Sequence, residues 1–179
     1  MGNALQPDLP TNATPGIDPI DKINGCCPRF QPSEWDRKSL HFEDKRFVRA
    51  TTKLKDHVPE DMNEVFPRTF EAIMDAGAMD EAHALVLSRD LSPELGEHLF
   101  AVDQDVPGEE MVSLSGHYRT HVFDAPYPEA PMLLDGFAQE LARDGEEVAE
   151  SWIFYTTCPQ CAEASGHNYM VGVEKVRDL

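Results

Sequence analysis

The four cysteines of the chain are the residues whose spacing points most clearly to chemistry. Cys158 and Cys161 form a Cys-Pro-Gln-Cys motif, and Cys26 and Cys27 form an adjacent pair followed by a proline. Two thiolates in a short loop can reach one tetrahedral metal ion, and a second pair can complete its coordination. The sequence therefore predicts a structural zinc site that uses all four cysteines.

Other states of the cysteines stay open at this point. Cytosolic thiols are commonly reduced and free, and a CxxC motif can also form a redox pair or a disulfide. A redox motif of the thioredoxin type begins a helix that follows a strand, and the residues after Cys161 predict at most one helical turn. Because adjacent cysteines seldom bind one ion together, His41 or His167 is an alternative ligand.

Glu97 and His167 are the candidate catalytic residues, and they align when the two halves of the sequence are laid over each other. A carboxylate at Glu97 can bind a cation, or act as a general base on water when burial raises its pKa. A neighbouring imidazole can relay a proton. The alternative is that both side chains lie at exposed strand ends.

Aromatic residues are concentrated in the second half of the chain. Flat rings suit a planar cationic ligand, because they stack on it and attract its charge. We therefore expect a binding wall that works together with Glu97, although a plain core would have similar residues. The predicted wall consists of Tyr127, Trp152, Tyr155 and Tyr169.

The elements that must position these side chains form a repeated pattern. A strand, an amphipathic helix and two further strands occur in residues 45–107 and again in residues 111–176. Helix stop and following strands recur with an offset of about 69 residues, as in a duplicated unit. Asp61 is the predicted cap of the first helix, Pro67 delays or kinks its start, and Gly77 ends it.

This pattern predicts an α+β fold. We expect duplicated strand-helix-strand-strand units with pseudo-two-fold symmetry, forming an antiparallel sheet with two helices packed on it. One such unit would bury little apolar area, so two units should share a core. A groove between repeats is a common place for a ligand.

Ahead of the repeats, residues 1–25 are rich in proline and lack an apolar period. Such a segment predicts a flexible or extended N-terminal arm, followed by a domain at residues 26–179.

The chain is strongly acidic, with 33 Asp and Glu against 15 Lys and Arg and a formal net charge of −18. This charge would repel a phosphate backbone, so we expect no nucleic-acid partner. It can also attract cationic ligands. Neither a long apolar run nor a secretory signal is found, so we expect a cytoplasmic protein with no membrane partner.

Two short segments carry a resemblance to a known family. One is Leu-Ser-Gly-His-Tyr-Arg-Thr-His-Val-Phe-Asp-Ala-Pro-Tyr at residues 114–127, and the other is Phe-Tyr-Thr-Thr-Cys-Pro at residues 154–159. With them, residues 47–176 resemble the GyrI-like (gyrase-inhibitor-like) family, which also forms the effector-binding half of AraC- and MerR-type regulators. The Cys-Cys-Pro and Cys-Pro-x-Cys motifs are similar to those of a subgroup often labelled only as hydrolases.

The resemblance implies a protein that binds hydrophobic, often cationic, aromatic molecules between its repeats, with a carboxylate that meets the cation. Some members hydrolyse reactive ligands. We find no helix-turn-helix signature, which favours a stand-alone domain over a transcription factor. In the similar subgroup, zinc would tie the N-terminal segment to the second half.

Three hypotheses follow: a small-molecule-binding module, a hydrolase that uses Glu97, and a zinc-stabilised interaction protein without a small ligand. We expect no nucleotide cofactor, because the sequence has neither a phosphate loop nor a dinucleotide fingerprint. A monomer or a homodimer is expected.

Overall fold

The computed structural model describes residues 6–178, and residues 1–5 of the predicted arm lie outside them. The described part of the chain has an α+β fold with antiparallel strands and four helices, none of them long and apolar enough to cross a membrane. Short 3₁₀ turns lie at Glu81–His83 and Tyr127–Glu129. In chain order, the elements are β1 (Lys22–Ile23), β2 (Cys27–Pro28), α1 (Pro32–Trp35), β3 (Ser39–Lys55), β4 (Val58–Pro59), α2 (Met62–Asp75), β5 (Val86–Ser92), β6 (Leu95–Ala101), β7 (Glu110–Asp124), α3 (Ala130–Arg143), β8 (Val148–Tyr155), α4 (Pro159–Ser165) and β9 (Tyr169–Val176).

The chain divides into two compact units, and the first to be described is Asp44–Leu114, called the inserted unit below. Its central strand is β6, which pairs antiparallel with β3 on one side and with β5 on the other. Only Pro93 and Glu94 separate β5 from β6, so these two strands form a tight hairpin. The predicted strand at residues 83–88 begins later than expected, at Val86.

Helix α2 covers one face of this sheet through the apolar stripe that the periodicity predicts. Phe66 and Phe70 place their rings against Phe100 of β6, each with a centroid distance of 5.1 Å. Ile73 is fully buried in the same cluster. Met74 was predicted to belong to the stripe, but it is 61% exposed, because it lies on the other face of the helix.

The sequence left open whether Pro67 delays the start of α2 or lies inside the helix, and the structure shows the second. The helix begins at Met62, ahead of Pro67, which lies inside it. A proline removes one helical hydrogen bond, and the packed stripe on either side keeps the helix continuous. Asp61 occupies the cap position, but its carboxylate accepts the N–H of Lys53. Gly77 follows the helix with φ +65°, a left-handed conformation typical of a helix stop.

The second unit, called the terminal unit below, combines residues 1–43 with residues 115–179. Its central strand is β9, which pairs antiparallel with β7 and with β8. Helix α3 lies on this sheet, and Gly172 of β9 makes the close approach possible. A Cβ atom at Gly172 would lie 3.0 Å from a ring atom of Phe123 and 3.2 Å from the side chain of Leu134.

Each unit therefore has the predicted order of strand, helix, strand and strand, and in each unit the last strand lies in the middle. The units differ in the connection between their last two strands. A two-residue turn joins β5 to β6, whereas residues 156–168, including α4, join β8 to β9.

The N-terminal segment adds a layer to the terminal unit that the sequence did not predict. Phe30 and Trp35 are both buried, and the ring of Trp35 lies 5.2 Å from that of Phe154 in β8. Upstream, the Asp8 N–H donates to the Ser39 carbonyl of β3 at 2.8 Å. The Asn12 N–H donates to the His41 carbonyl of the same strand, also at 2.8 Å. The flexibility predicted for residues 1–25 stays a prediction; residues 8–12 run alongside the start of β3.

Candidate metal centre and adjoining aromatic site

The four cysteines come together in the terminal unit, as the sequence predicts. Cys26 lies in the turn between β1 and β2, Cys27 is the first residue of β2, and Cys158 and Cys161 lie at the start of α4. Their four sulfur atoms lie within 4.8 Å of one another. This thiol cluster is the group of side chains in the described residues that could hold a metal ion, and neither His41 nor His167 belongs to it.

The spacing of the sulfur atoms fits a tetrahedral metal. Cys26 Sγ lies 3.8 Å from Cys27 Sγ and 3.9 Å from Cys158 Sγ. With zinc–sulfur bonds of about 2.3 Å, the edges of a tetrahedral site measure about 3.8 Å. A disulfide needs a separation of about 2.05 Å, and all four cysteines are free. Adjacent cysteines, which the sequence made doubtful as joint ligands, therefore both contribute to the cluster.

The local helix changes one argument made from the sequence. Helix α4 runs for seven residues, with Cys158 at its cap position, so the CxxC motif does begin a helix that follows a strand. After Cys161, residues 162–165 continue the helix for about one turn, close to the predicted length, until Gly166 ends it. The geometric objection to a redox pair is thus removed. A metal site is still favoured, since a redox pair needs two sulfur atoms and four are assembled here.

Hydrogen bonds hold the two halves of the thiol cluster together. The Cys158 N–H donates to Cys27 Sγ at 3.4 Å, and Cys161 Sγ donates to the Ile23 carbonyl at 3.7 Å. Cys161 is buried and Cys26 is exposed. The cluster therefore lies at the surface of the terminal unit, with one side in the core.

The protonation of the cluster indicates that a cation would suit it. Burial raises the pKa of Cys158, but the backbone N–H of Cys161 and the neighbouring thiols outweigh this and lower it to about 7. Burial is the largest effect on Cys27 and raises its pKa. Four thiolates side by side would repel one another. A divalent cation removes that repulsion and can hold all four deprotonated.

His167 lies just beyond the end of α4 and is held in a defined orientation. Its Nδ1 lies 2.7 Å from Asp124 Oδ2, and its ring stacks on Tyr169 with a centroid distance of 5.1 Å and an interplanar angle of 10°. The other carboxylate oxygen of Asp124 accepts the N–H of Asn168 at 2.9 Å. Gly166, with φ +75°, makes the left-handed turn that brings the chain from α4 to this histidine.

The predicted aromatic wall lies in the terminal unit but is not one surface. Tyr127 and Tyr155 have ring centroids 5.7 Å apart, and the Tyr127 hydroxyl donates to the Thr157 carbonyl at 3.0 Å. Tyr155 is 40% exposed, while Trp152 is 1% exposed and belongs to the core. Tyr169 is half-buried, and its ring faces Phe30 as well as His167. Burial, and secondarily the charge of Cys158, raises the pKa of Tyr127.

Glu97 lies in β6 of the inserted unit, between two arginines. Its Oε2 accepts from Arg49 Nε at 2.6 Å, and its Oε1 accepts from Arg89 Nε at 2.8 Å. The Glu97 side chain is 9% exposed. Both carboxylate oxygens thus have a guanidinium partner, so its charge is already balanced.

The pKa of Glu97 differs from the premise of the predicted general base. Burial alone would raise it, but the hydrogen bonds from Arg49 and Arg89 outweigh burial and hold it below its usual value. A carboxylate stabilised in this way is a weak base. The catalytic and ligand-binding roles predicted for Glu97 stay predictions, without the raised pKa that motivated them.

The register of the strands also changes the pairing of the two candidate catalytic residues. Glu97 is the third residue of β6, where it pairs with Thr51 and Arg89. His167 precedes β9 by two residues and takes no part in a strand pairing. The two residues do not occupy equivalent positions, because residues 156–168 lengthen the connection in one unit only.

An open depression of about 880 Å³ lies at the other end of the terminal unit's sheet, where β9 ends. Its polar lining includes His41, Glu43, Glu150 and Lys175. None of the predicted wall residues lines it. We therefore keep the candidate site at the end where β9 begins, beside the thiol cluster.

Two further acidic residues were missed in the sequence. Asp124 is the last residue of β7, and nothing in its spacing connects it with His167, which lies 43 positions later. Glu174 of β9 is fully buried under α3, and burial raises its pKa to about 7 despite a hydrogen bond of 2.6 Å from Ser151. The only sequence feature that could have indicated this buried carboxyl is a single acidic residue among the valines of β9.

Comparison with known proteins decides the family. The family model described as "Bacterial hydrolase" matches residues 17–176. The chain belongs to this bacterial hydrolase family. The match includes the thiol cluster and both units.

Comparison with solved structures concerns the fold. The structure described as SAV2435 bound to tetraphenylphosphonium is similar to this chain with a TM-score of 0.51. The similarity covers 79% of this chain and 94% of the other, at 7% sequence identity. At this identity it establishes the fold alone, and that fold is the GyrI-like one that the resemblance implied. No curated protein matches the chain.

Proposed function

We propose that the protein binds hydrophobic, cationic aromatic small molecules. One observation carries this proposal: the chain shares its fold with SAV2435, whose structure is described as bound to tetraphenylphosphonium, a hydrophobic cation with four phenyl rings. The groove between the repeats, where the sequence places the ligand, stays a prediction.

Charge and exposed rings support this choice of ligand. The formal net charge of −18 raises the local concentration of cations near the surface. Tyr155 is 40% exposed beside the half-buried ring of Tyr127, so a planar group can stack there. Glu97 is not needed for charge recognition, because two arginines already neutralise it.

Isothermal titration calorimetry with tetraphenylphosphonium chloride tests the proposal. We expect saturable binding at one site per chain, weaker at high salt because the acidic surface is screened. Triphenylphosphine oxide, which has similar rings and no net charge, is the control and should bind much more weakly. Non-saturable uptake, or equal affinity for both compounds, would contradict the proposal.

A pair of variants locates the aromatic contact. Tyr155→Ala should weaken tetraphenylphosphonium binding by about fivefold to thirtyfold, since one cation–π contact contributes about 1–2 kcal/mol. Met132→Ala, which truncates a side chain of α3 that is 67% exposed, is the matched control and should leave the affinity unchanged. Equal effects of the two changes would remove Tyr155 from the site.

We also propose that the thiol cluster binds one structural zinc ion. The donor set supports it, because four sulfur atoms at tetrahedral spacing leave no open position for a water molecule. Zinc would cross-link the β1–β2 turn to the start of α4. The ion would therefore fix the segment that leads to His167, and its role would be structural.

A second candidate function is the hydrolysis of a reactive small molecule. The specific observation in its favour is the match to the bacterial hydrolase family over residues 17–176. Turnover of a bound compound would separate it from simple binding. Zinc binding without either ligand binding or turnover would instead favour the third hypothesis, an interaction protein.

A further inference from the structure

We propose that His167 is the general base of a hydrolytic reaction on an activated ester, and that Asp124 is the positioning residue that fixes its tautomer and orientation. This inference rests on the hydrolase candidate of the preceding subsection. It assigns the reacting group to the terminal unit and not to Glu97.

The hydrogen bonds around Asp124 define which nitrogen of His167 is basic. Asp124 accepts from His167 Nδ1 and from the Asn168 N–H, one bond to each oxygen. The hydrogen bond from His167 lowers the pKa of Asp124, so the carboxylate stays ionised. An ionised carboxylate on Nδ1 requires a proton there, which leaves Nε2 as the unprotonated nitrogen.

Stacking and exposure complete the arrangement. The parallel ring of Tyr169 supports one face of the imidazole, and Tyr169 is itself anchored in β9. The side chain of His167 remains 53% exposed, so water and a small substrate can reach Nε2. Within residues 6–178, the hydrogen-bonding partner of this ring is Asp124, through Nδ1 alone. The ring is therefore oriented through Nδ1, while Nε2 makes no hydrogen bond to the described residues.

Two other histidine–aspartate pairs provide an internal comparison. In the inserted unit, His57 Nδ1 lies 2.7 Å from Asp90, and His83 Nδ1 lies 2.8 Å from Asp80. Both are exposed pairs with similar geometry. No ring contact is recorded for either histidine in the described residues, so neither has the aromatic support of His167. These two pairs therefore serve as controls for a histidine–aspartate pair without a stacked ring.

The thiol cluster begins the helix that leads to His167. Cys158 and Cys161 start α4, Gly166 ends it, and His167 follows directly. Zinc bound at the start of this helix would restrain the turn that carries the histidine. The metal would thus influence the reaction through position only.

The reaction step balances as follows. Nε2 of His167 accepts a proton from a water molecule while the water oxygen bonds to the carbonyl carbon of the ester. The tetrahedral intermediate then collapses, the bond from carbon to the leaving oxygen breaks, and the imidazolium returns its proton to that oxygen. For an aryl ester the products are a carboxylic acid and a phenol, and His167 is neutral again.

The chemistry of the site favours an ester with a good leaving group. A single general base contributes about 10²–10⁴-fold to a rate. That is sufficient for an aryl ester and far from sufficient for an amide. The exposed ring of Tyr155, in the same unit, favours an aryl leaving group that can stack on it.

Steady-state hydrolysis of p-nitrophenyl acetate by the zinc-loaded full chain tests the proposal. His167→Gln should lower kcat/KM by about 100-fold or more. Asp124→Asn should lower kcat more than it changes KM, because an amide can donate to Nδ1 and place the proton on Nε2. His83→Gln is the matched control, because His83 is also an exposed histidine paired with an aspartate. It should keep wild-type activity, since an unassisted surface imidazole contributes little to hydrolysis of this ester.

A pH profile separates catalysis from a structural effect. In the wild type, kcat/KM should rise with pH, as expected for a reaction that needs an unprotonated base; the groups facing the His167 ring are Asp124 from β7 and Tyr169 from β9. That limb should vanish in His167→Gln while the melting temperature stays within a few degrees. Calorimetry with tetraphenylphosphonium should be unaffected.

The outcomes are distinguishable. Saturable turnover that survives in His167→Gln would overturn the inference and leave the hydrolase candidate standing. Turnover that falls equally in His167→Gln and His83→Gln would mean non-specific imidazole catalysis and overturn both. Tetraphenylphosphonium binding without any turnover would overturn the inference and keep the proposed binding function.

Discussion

The inserted and terminal units have the same strand order, yet they place their polar residues in opposite ways. In the inserted unit, Glu97 is nearly buried on the central strand, and both of its oxygens accept from arginines. In the terminal unit, His167 lies in the long connection between β8 and β9, half exposed, with one nitrogen held and the other accessible. The corresponding connection in the inserted unit is the two-residue turn Pro93–Glu94.

This difference teaches where to look for function in a duplicated fold. A charged side chain whose every bonding site is satisfied within the unit stabilises that unit. A side chain that is oriented by one partner and open on its other side can act on a ligand. Both the cysteines of α4 and His167 belong to the segment that only one unit has, so we assign the chemistry to the terminal unit.

The largest effect is expected from removing the zinc. Structural zinc in small sites contributes an apparent binding free energy of about 10–16 kcal/mol at neutral pH, which becomes folding free energy. Cys161→Ala, or a strong chelator, should therefore lower the free energy of unfolding by several kcal/mol and abolish esterase activity. Urea denaturation followed by circular dichroism measures this.

Glu163→Gln, an exposed change on α4, is the control for the zinc prediction and should change the free energy of unfolding by less than about 0.5 kcal/mol. If Cys161→Ala behaves like Glu163→Gln, the thiol cluster does not support the terminal unit and the comparison loses its basis.

The second effect concerns Glu97. Removing one partner of a buried ion pair leaves the others unpaired and costs about 3–5 kcal/mol. Glu97→Gln should therefore destabilise the protein by about 3 kcal/mol while p-nitrophenyl acetate hydrolysis, measured below the unfolding temperature, stays within twofold of wild type. Glu71→Gln, an exposed change on α2, is the control. A loss of activity without a loss of stability would return the catalytic role to Glu97.

A third effect is a dependence of stability on pH that originates at Glu174. Its folded pKa, about 7, lies above its usual value of 4.5, mainly because of burial. Below pH 4.5 the carboxyl is neutral in both states and stabilisation is complete. As pH rises towards 7, the unfolded chain ionises first, so the free energy of unfolding falls, by about 3 kcal/mol in total.

Glu174→Gln should remove this slope between pH 4.5 and 7, because a neutral amide replaces the titrating group. Glu163→Gln on the exposed side of α4 is the control and should keep the slope. Urea titrations at four pH values provide the measurement, and an unchanged slope in Glu174→Gln would place the titration elsewhere.

The smallest effect on stability is expected at His167. Exposed pairs contribute about 0–1 kcal/mol, so His167→Gln should change the free energy of unfolding by less than about 1 kcal/mol. It should nonetheless remove the hydrolysis, which makes it the reverse of Glu97→Gln. A destabilisation of several kcal/mol would show that the contrast between the two units is mistaken.

The sequence predicted the repeated elements because their signals are local. The apolar stripe with Phe66, Phe70 and Ile73, and the helix stop at Gly77, follow from periodicity and from backbone conformation. The assembly of the four cysteines was also predicted, since a CxxC loop and a second pair can complete one tetrahedral site, although the sequence left free thiols and a redox pair open.

The pairings around the candidate residues were not predictable, because they depend on strand register. Arg49 and Arg89 flank Glu97 only because β3 and β5 pair with β6 at those positions. Asp124 reaches His167 from the neighbouring strand β7, where it pairs with Tyr169, and no short-range sequence pattern indicates this contact. The alignment of Glu97 with His167 was wrong because the extra residues of one connection shift the register.

Zinc K-edge X-ray absorption on protein purified without chelator tests the central claim most directly, together with metal analysis. We predict one zinc ion per chain, with four sulfur neighbours at about 2.3 Å. Substoichiometric zinc, or a first coordination sphere that contains nitrogen or oxygen atoms in place of sulfur, would contradict the account.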